Sequence, residues 1–334
     1  MADKQTKGLI GIDIGNSMVS MAQLTSAGAK LHVKRMPDNL VSGERIVSPE
    51  TMSRFLREMK AEGGFSGSKC TVILPEDGTY FRTVTMPPVG ESQLKLNLPY
   101  EFRDYVGGDG SEYFYDYAVK SVERDEDGAP TSLSVFAAAT RKDALEQMAS
   151  VLRRAGLRLK VAVPREMSLI YLLRAAVDSG VPEDREYCIV EADYDHTHVN
   201  IARGRHLTAS KTIDVGCRQI DEAIASLYNI DVYLAASYRE SNYEDVLATE
   251  ACRAIYDRIS LEITKAVNFY KYENPQSDLD DIRFCGMGAA DPRLASEIVD
   301  YIGLSEYPMA GILPASCASN PDAPHCAIAI GAVL

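Results

Sequence analysis

The residues with the clearest chemical potential lie near the start of the chain, in Leu9-Ile10-Gly11-Ile12-Asp13-Ile14-Gly15-Asn16-Ser17. Apolar, β-branched residues on both sides of Asp13-Ile14-Gly15-Asn16-Ser17 read as two paired strands with a tight turn between them. Such a tip can receive phosphate oxygens on its backbone N–H groups, because Gly15 lets the backbone come close, and Asp13 can hold a metal ion through its water shell. A plain surface hairpin, with Asp13 and Asn16 making turn hydrogen bonds, satisfies the same residues. The tip by itself leaves both readings open. Further along, the strand pattern Asp281-Ile282-Arg283-Phe284-Cys285 opens into Gly286-Met287-Gly288-Ala289. That turn either passes an adenine ring or ribose close to the backbone or is a glycine turn with no ligand. Glu262 and Lys265 lie one turn apart on a helical segment and form an ion pair on their residue types alone. No residue stands out as a catalytic base; Asp193 and Asp214 could be proposed for an active enzyme, and both read as turn residues.

The elements that would hold these groups follow in order. Lys30–Met36 reads as a third strand; Pro49 and the shared face of Met52, Phe55, Leu56 and Met59 predict a helix with Ser48 as N-cap, stopped by Gly63-Gly64. Cys70–Leu74 is a buried strand. From Tyr80 the style changes: strand over Phe81–Met86, helix over Glu91–Val106, strands over Tyr113–Val122 and Thr131–Thr140, helix over Lys142–Ala155 and strand over Leu157–Val163. That β-α-β-β-α-β order suggests an inserted module of split βαβ type. After a helix over Pro164–Val177, the opening plan returns. Tyr187–Asp193 runs through an acidic turn into a second strand at His198-Val199-Asn200-Ile201, His206–Ile213 is a third strand, and Gly216 precedes a helix over Cys217–Leu227. Two halves that open alike suggest duplication, with a ligand cleft between them. A long helix is expected over Tyr243–Tyr272, and a tightly packed one over Cys326–Ala332.

Composition bounds the function. With 334 residues, 46% hydrophobic, and a formal net charge of −13, the chain reads as a globular protein of two or more domains and not as a nucleic-acid binder. Its seven cysteines are scattered without CxxC or Cys/His ligand spacing, which suggests buried thiols in a reducing cytosol. No signal-peptide pattern opens the chain and no run of about 18 apolar residues occurs, so recruitment to a membrane would need a partner.

Taken in order, the Asp-x-Gly hairpin, the inserted module, the second acidic hairpin, the strand-Gly-x-Gly-helix unit and the closing Ala327-Ile328-Ala329-Ile330-Gly331-Ala332 run resemble the actin, Hsp70 and FtsA superfamily. Within it the chain is most similar to the PilM family, cytoplasmic actin-like proteins of type IV pilus assembly. The likeness is strongest in Leu9–Ser17, Ser42–Glu50, Arg82-Thr83-Val84-Thr85-Met86-Pro87, Glu101–Val106 and Tyr115-Asp116-Tyr117-Ala118-Val119. It implies an α/β, actin-like (ribonuclease H-like) duplicated fold with an inserted α+β subdomain and two lobes around a nucleotide cleft. The first lobe would comprise residues 1–77, 159–184 and 316–334, the inserted subdomain 78–158, and the second lobe, with a helical insertion, 185–315.

The resemblance also implies a site. Asp13, Gly15, Asn16 and Ser17 match the first phosphate loop; a lysine usual after it falls at Ser20. Glu191-Ala192-Asp193 stands where the second phosphate loop has Asp-x-Gly, with Gly216 at the helix that follows. Glu262 and Lys265 match the ribose-contacting pair, and Gly286 and Gly288 the adenosine loop, with Met287 in place of a glycine. The implied cofactors are ATP and Mg2+, the metal held through water by Asp13 and Asp193. Glu191, Asp193 and Asp195 would set like charge beside a triphosphate, so ATP is expected to bind weakly or not at all without the metal. The expected role is therefore a scaffold, ATP-binding or pseudo-ATPase, and not an efficient enzyme. The family captures the N-terminal cytoplasmic peptide of PilN, a bitopic inner-membrane protein, and so sits on the inner face of that membrane without inserting into it. The capturing groove is expected near Leu94, Leu98, Phe102 and Tyr105. Other pilus assembly proteins and self-association are further implied partners. An FtsA-like division protein is an alternative that calls for an amphipathic membrane helix after Gly331-Ala332-Val333-Leu334. An active ATPase or kinase of the superfamily is another, calling for an intact second loop.

Overall fold

The computed structural model describes residues 8–334 apart from 38, 43, 44 and 109; Gly43 and Glu44, which enter the family pattern above, lie outside the described residues. The apolar runs around the first tip form strands β1 (Ile10–Ile14) and β2 (Met18–Thr25), paired antiparallel with Asp13 opposite Ser20. Strand β3 (Gly28–Arg35) returns against β2. A short hairpin of β4 (Val41–Ser42) and β5 (Arg45–Ile46) leads to helix α1 (Pro49–Glu62), which buries Met52, Phe55, Leu56 and Met59 as its spacing predicts. Ser48 precedes α1 but does not cap it: its hydroxyl donates to Thr51 Oγ1 at 3.1 Å. Strand β6 (Lys69–Ile73) then lies parallel to β1.

The inserted elements come next. Strands β7 (Thr79–Met86), β8 (Tyr113–Arg124) and β9 (Pro130–Arg141) make a sheet of order β7-β9-β8, with helix α2 (Glu91–Glu101) between β7 and β8 in the chain. Helix α3 (Lys142–Arg154) departs from the expected split βαβ module. Its Met148, Val151 and Leu152 join Met52, Phe55 and Leu56 of α1 in the first lobe's core, so α3 closes that lobe instead of covering the three-stranded sheet. Strand β10 (Arg158–Val163) adds parallel to β6, completing the order β10-β6-β1-β2-β3, and helix α4 (Arg165–Asp178) follows.

The second lobe repeats this topology. Strands β11 (Glu186–Ala192), β12 (Thr197–Arg203) and β13 (His206–Ile213) form the meander; helices α5 (Cys217–Tyr228), α6 (Val232–Ser241) and α7 (Glu250–Glu273) follow. Strand β14 (Asp281–Cys285) lies parallel to β11 as β6 does to β1; helix α8 (Pro292–Ile302) and strand β15 (Ser305–Glu306) complete the order β13-β12-β11-β14-β15. The helix expected from Tyr243 starts only at Glu250, because Glu244 and Asp245 adopt positive φ of 50° and 57° and break the run into a 3-10 turn. All seven cysteines are buried and unpaired.

The chain closes with helix α9 (Ala327–Gly331), whose small residues let it approach both α4 and β1. A β-carbon on Gly331 would lie 2.2 Å from the Ser168 carbonyl oxygen, and one on Gly11 would lie 2.2 Å from that of Ala329. Neither obstacle is a flexible side chain. Gly11→Ala and Gly331→Ala should each destabilise the protein by about 1–3 kcal/mol or more in urea unfolding, as overpacking against backbone does. Gly107→Ala, with open space around its position, should stay within about 0.5 kcal/mol of the parent.

Candidate functional site

The tips of the two meanders face each other across the cleft, and a side chain from a third element lies between them. Arg165, the first residue of α4, follows Pro164, which ends β10. Its Nη2 lies 3.2 Å from Asp13 Oδ1 at the end of β1, and its Nη1 bonds Glu191 Oε1 on β11 and lies 3.5 Å from Asp193 Oδ2. Its Nε is 3.1 Å from Glu76 Oε1, an ionic contact not aimed as a hydrogen bond. Glu76 in turn accepts from His198 Nε2 on β12 at 2.9 Å. The centre of the group is nearly dry, with 13% of the Arg165 side chain and 2% of that of Glu191 exposed, while Glu76 and Asp193 at its edge are partly open to solvent.

Burial and charge set the protonation states. Burial lowers the affinity of Arg165 for its proton, but Asp13, Glu191, Asp193 and Glu76 more than reverse this and keep it cationic. Burial pushes the Glu191 carboxyl up to about 8, with Arg165 opposing and Asp193 adding. Its Oε2 is buried with no hydrogen-bond partner. Asp13 is raised too, first by burial, against the pull of Arg165. Burial would raise Glu76 as well, but the hydrogen bond from His198 and the charges of His198 and Arg165 bring it down to about 2. Burial would lower His198, and the bond to Glu76 with the charges of Glu76 and Glu191 lifts it to about 9.

Other contacts tie the tips directly. The Asn16 amide donates to Asp195, whose other oxygen takes Arg218 Nε at 2.6 Å. The Ser17 hydroxyl lies 3.8 Å from the sulfur of Met287, which is also 3.8 Å from Arg239 Nη2. Arg239 itself is held by Asp221 at 2.6 Å. Away from the tips, Arg35 of β3 meets Glu240 of α6 at 2.9 Å.

Asp13, Asn16, Ser17, Glu191 and Asp193 do converge on the cleft, and Gly15 closes the first tip through its N–H to the Met18 carbonyl at 2.9 Å. Gly216 stands against the second tip, where a β-carbon would meet the Tyr194 and Asp193 carbonyl oxygens at 2.5 and 2.6 Å. Gly286, at φ +76°, packs on Ala192 and Asp193, and Gly288 on Ala192. Glu262 and Lys265 are elsewhere: they pair with each other at 2.6 Å and, through Glu262, with Lys211 of β13 at 2.7 Å, beyond β12 and β11 from the Gly286 turn. The spacing on α7 makes an ion pair but does not aim it at the cleft. Asp214 is exposed, 3.8 Å from His196. Leu94, Leu98 and Phe102 are buried with Val84 and Val135 in the core between α2 and its sheet, so only Tyr105, half exposed, is open to a partner. Sequence reading missed Arg165 and His198. The one signal for Arg165 is its position: a cation at a helix N-terminus opposes the helix dipole and calls for carboxylate partners.

A metal–triphosphate does not fit among these residues as they stand. The backbone N–H groups opening α5, which could face phosphates, are already used. Gly216 N–H donates to Gln219 Oε1 at 2.9 Å, Cys217 to the Asp193 carbonyl at 3.0 Å, and Arg218 to the Tyr194 carbonyl at 2.8 Å. The guanidinium of Arg165 spans the carboxylates that would flank the metal. Among the described residues no His, Cys, Asp and Glu group is arranged to hold a metal ion.

The model of the family described as type IV pilus assembly protein PilM matches residues 11–307. The chain belongs to the PilM family. A solved structure described as the PilM-PilN type IV pilus biogenesis complex superposes with a TM-score of 0.83 at 19% identity, covering 98% of this chain and 97% of the other. The ethanolamine utilization protein EutJ from Carboxydothermus hydrogenoformans gives 0.59 at 14% identity over 98% and 89%, and MreB 5 of Spiroplasma citri bound to AMPPNP gives 0.53 at 11% over 97% and 94%. These likenesses establish the two-lobed actin-like fold expected from the order of motifs. This PilM-family member carries an internal cation, Arg165, between the tips of its two meanders.

The pH dependence follows from the cluster. The raised His198 contributes stability that is complete below 6.5 and lost as pH rises through about 9; the raised Glu191 adds a loss in the same direction between 4.5 and about 8. The lowered Glu76 contributes above 4.5 and loses its share as pH falls toward about 2. Urea midpoints should therefore fall from near-neutral pH toward pH 9, and His198→Gln should lower the neutral value and flatten that alkaline limb. A parent protein with no decline there would contradict the assigned cluster.

Proposed function

We propose that this protein is a cytoplasmic scaffold of type IV pilus assembly, or of a related secretion system, that captures the N-terminal cytoplasmic peptide of a PilN-like bitopic membrane protein. The observation that carries this reading is a groove of about 560 Å3 between the inserted sheet and the first lobe. Strand β8 is one edge of its sheet and β10 one edge of the first lobe's sheet, and both line the groove. An extended peptide can pair with an open strand edge while its side chains enter apolar pockets. Residues alternate along β9, so Val135, Ala137 and Ala139 face the core under α2 while Phe136, Ala138 and Thr140 line the groove. Phe81 stacks on Phe136 at 5.7 Å, Met167 and Tyr171 of α4 form the opposite wall, and Phe114, 43% exposed, stands at the rim.

The groove is thus on the opposite side of the inserted sheet from Leu94, Leu98 and Phe102. No helix among the described residues is long and apolar enough to cross a membrane, so recruitment to the inner face of the cytoplasmic membrane falls to the partner. The chemistry of the cleft supports a scaffold over a turnover enzyme.

Fluorescence anisotropy with a labelled peptide copying the cytoplasmic start of the host's PilN-like protein tests this. Phe114→Glu should weaken binding at least about tenfold, the cost of roughly 1.4 kcal/mol or more from a charge set in an apolar groove. Tyr105→Glu, on the far side of the sheet, should leave it unchanged. Equal loss in both, or no binding by the parent, would sink the proposal.

A further inference from the structure

The cleft poses a problem of charge. Asp13 and Glu76 from one lobe and Glu191 and Asp193 from the other approach one another, Asp13 and Glu191 largely buried and Glu76 and Asp193 partly open, and Arg165 touches all of them. In a nucleotide-holding arrangement, phosphates and a divalent cation would lie between two such loops. Here the N–H groups that open α5 and that of Gly15 are bonded within the chain, and the positive charge is covalently part of α4. Helix geometry does not explain an arginine at this position, since the first turn favours the opposite sign. The carboxylates of both lobes do explain it.

We propose that Arg165 is the resident cation of the cleft, standing in for a nucleotide-bound divalent cation, so that the two lobes are latched together without nucleotide. The latch bridges Asp13 and Glu76 to Glu191 and Asp193, and the direct ties from Asn16 to Asp195 and from Arg35 to Glu240 support it on either side. This inference is independent of the partner peptide. Capture of the peptide and indifference to nucleotide can each hold without the other.

Thermal unfolding of the full chain tests it, with Mg2+ alone, Mn2+ alone and MgATP as the probes. At about 1 mM of each, the parent protein should shift by less than about 1 °C, because a ligand that binds only the folded state raises the midpoint in proportion to its occupancy. Arg165→Met keeps bulk but removes the charge, and Arg165→Ala removes both; each should unfold at lower temperature and regain about half of that loss, or more, in Mg2+ or Mn2+ without nucleotide. Arg165→Lys keeps a charge and should fall less than either. A structural role through packing alone would favour Met over Lys and would give no response to the metals. The assignment is overturned if MgATP stabilises the parent by several degrees, or if neither neutral variant responds to a divalent cation. Should both neutral variants be too unstable to purify even with the metals present, the parent's response to MgATP decides the matter.

Discussion

A guanidinium in a nearly dry cleft is tolerable only if its charge is matched and its neighbours hold still. Removing one partner of a buried pair commonly costs about 3–5 kcal/mol, because the remaining charge is left desolvated. That constraint fixes several chain segments at once: the end of β1 through Asp13, the entry to β7 through Glu76, the end of β11 through Glu191, and the start of α4 through Arg165 itself. Those segments are the junctions where the two lobes and the inserted sheet meet. The cluster therefore sets the relation of all the parts, while the separate apolar cores hold each part together.

The same junction governs the groove. Pro164, Met167 and Tyr171 line it from one side of α4, while Arg165 points to the other and into the cleft. Glu76 stands a few residues before β7, the first strand of the inserted sheet. Anchoring these residues holds the α4 wall of the groove and β7, whose Phe81 lines the groove from the inserted sheet. A groove held in this way loses little conformational freedom on binding, and preorganisation of that kind raises affinity without adding contacts.

Much of the architecture was legible because it rests on local periodicity. The two hairpins, the glycine turn after Cys285 and the small-residue run of α9 each appear as a pattern within about ten residues, and the repeated order of patterns carried the duplicated fold. What failed to show depends on contacts distant in sequence. Arg165 is 152 positions from Asp13 and 26 from Glu191, so no window of sequence contains the cluster. Helical spacing put Leu94, Leu98 and Phe102 on one face, yet a face buried in its own module and one offered to a partner look alike in sequence; only the sheet beneath α2 distinguishes them. Glu262 and Lys265 illustrate the converse. Their spacing was right for an ion pair, and their strand neighbour Lys211 determines that the pair serves the surface of β13. Asp193 in place of the family's glycine is visible in the sequence, but the cation that meets its carboxylate is not.

A cation that belongs to the chain differs from a bound metal in one respect that bears on the whole molecule: it cannot leave. A nucleotide-gated lobe arrangement changes when its ligand is exchanged, since the ligand's differential affinity for two states supplies the free energy. An internal guanidinium offers no such variable at constant composition. What can still vary is proton binding at the groups around it, and those transitions are displaced from neutrality at Glu76, near 2, and at His198, near 9. Burial raises both Asp13 and Glu191, the latter to about 8, and Glu191 also has an oxygen left unpartnered. A change in the lobes would thus enter through these buried carboxyls or through a partner that binds one arrangement better than another. For a scaffold whose groove shares α4 with the latch, the second route is physically direct, because a peptide bound along β8 and β10 bears on the same helix that carries Arg165.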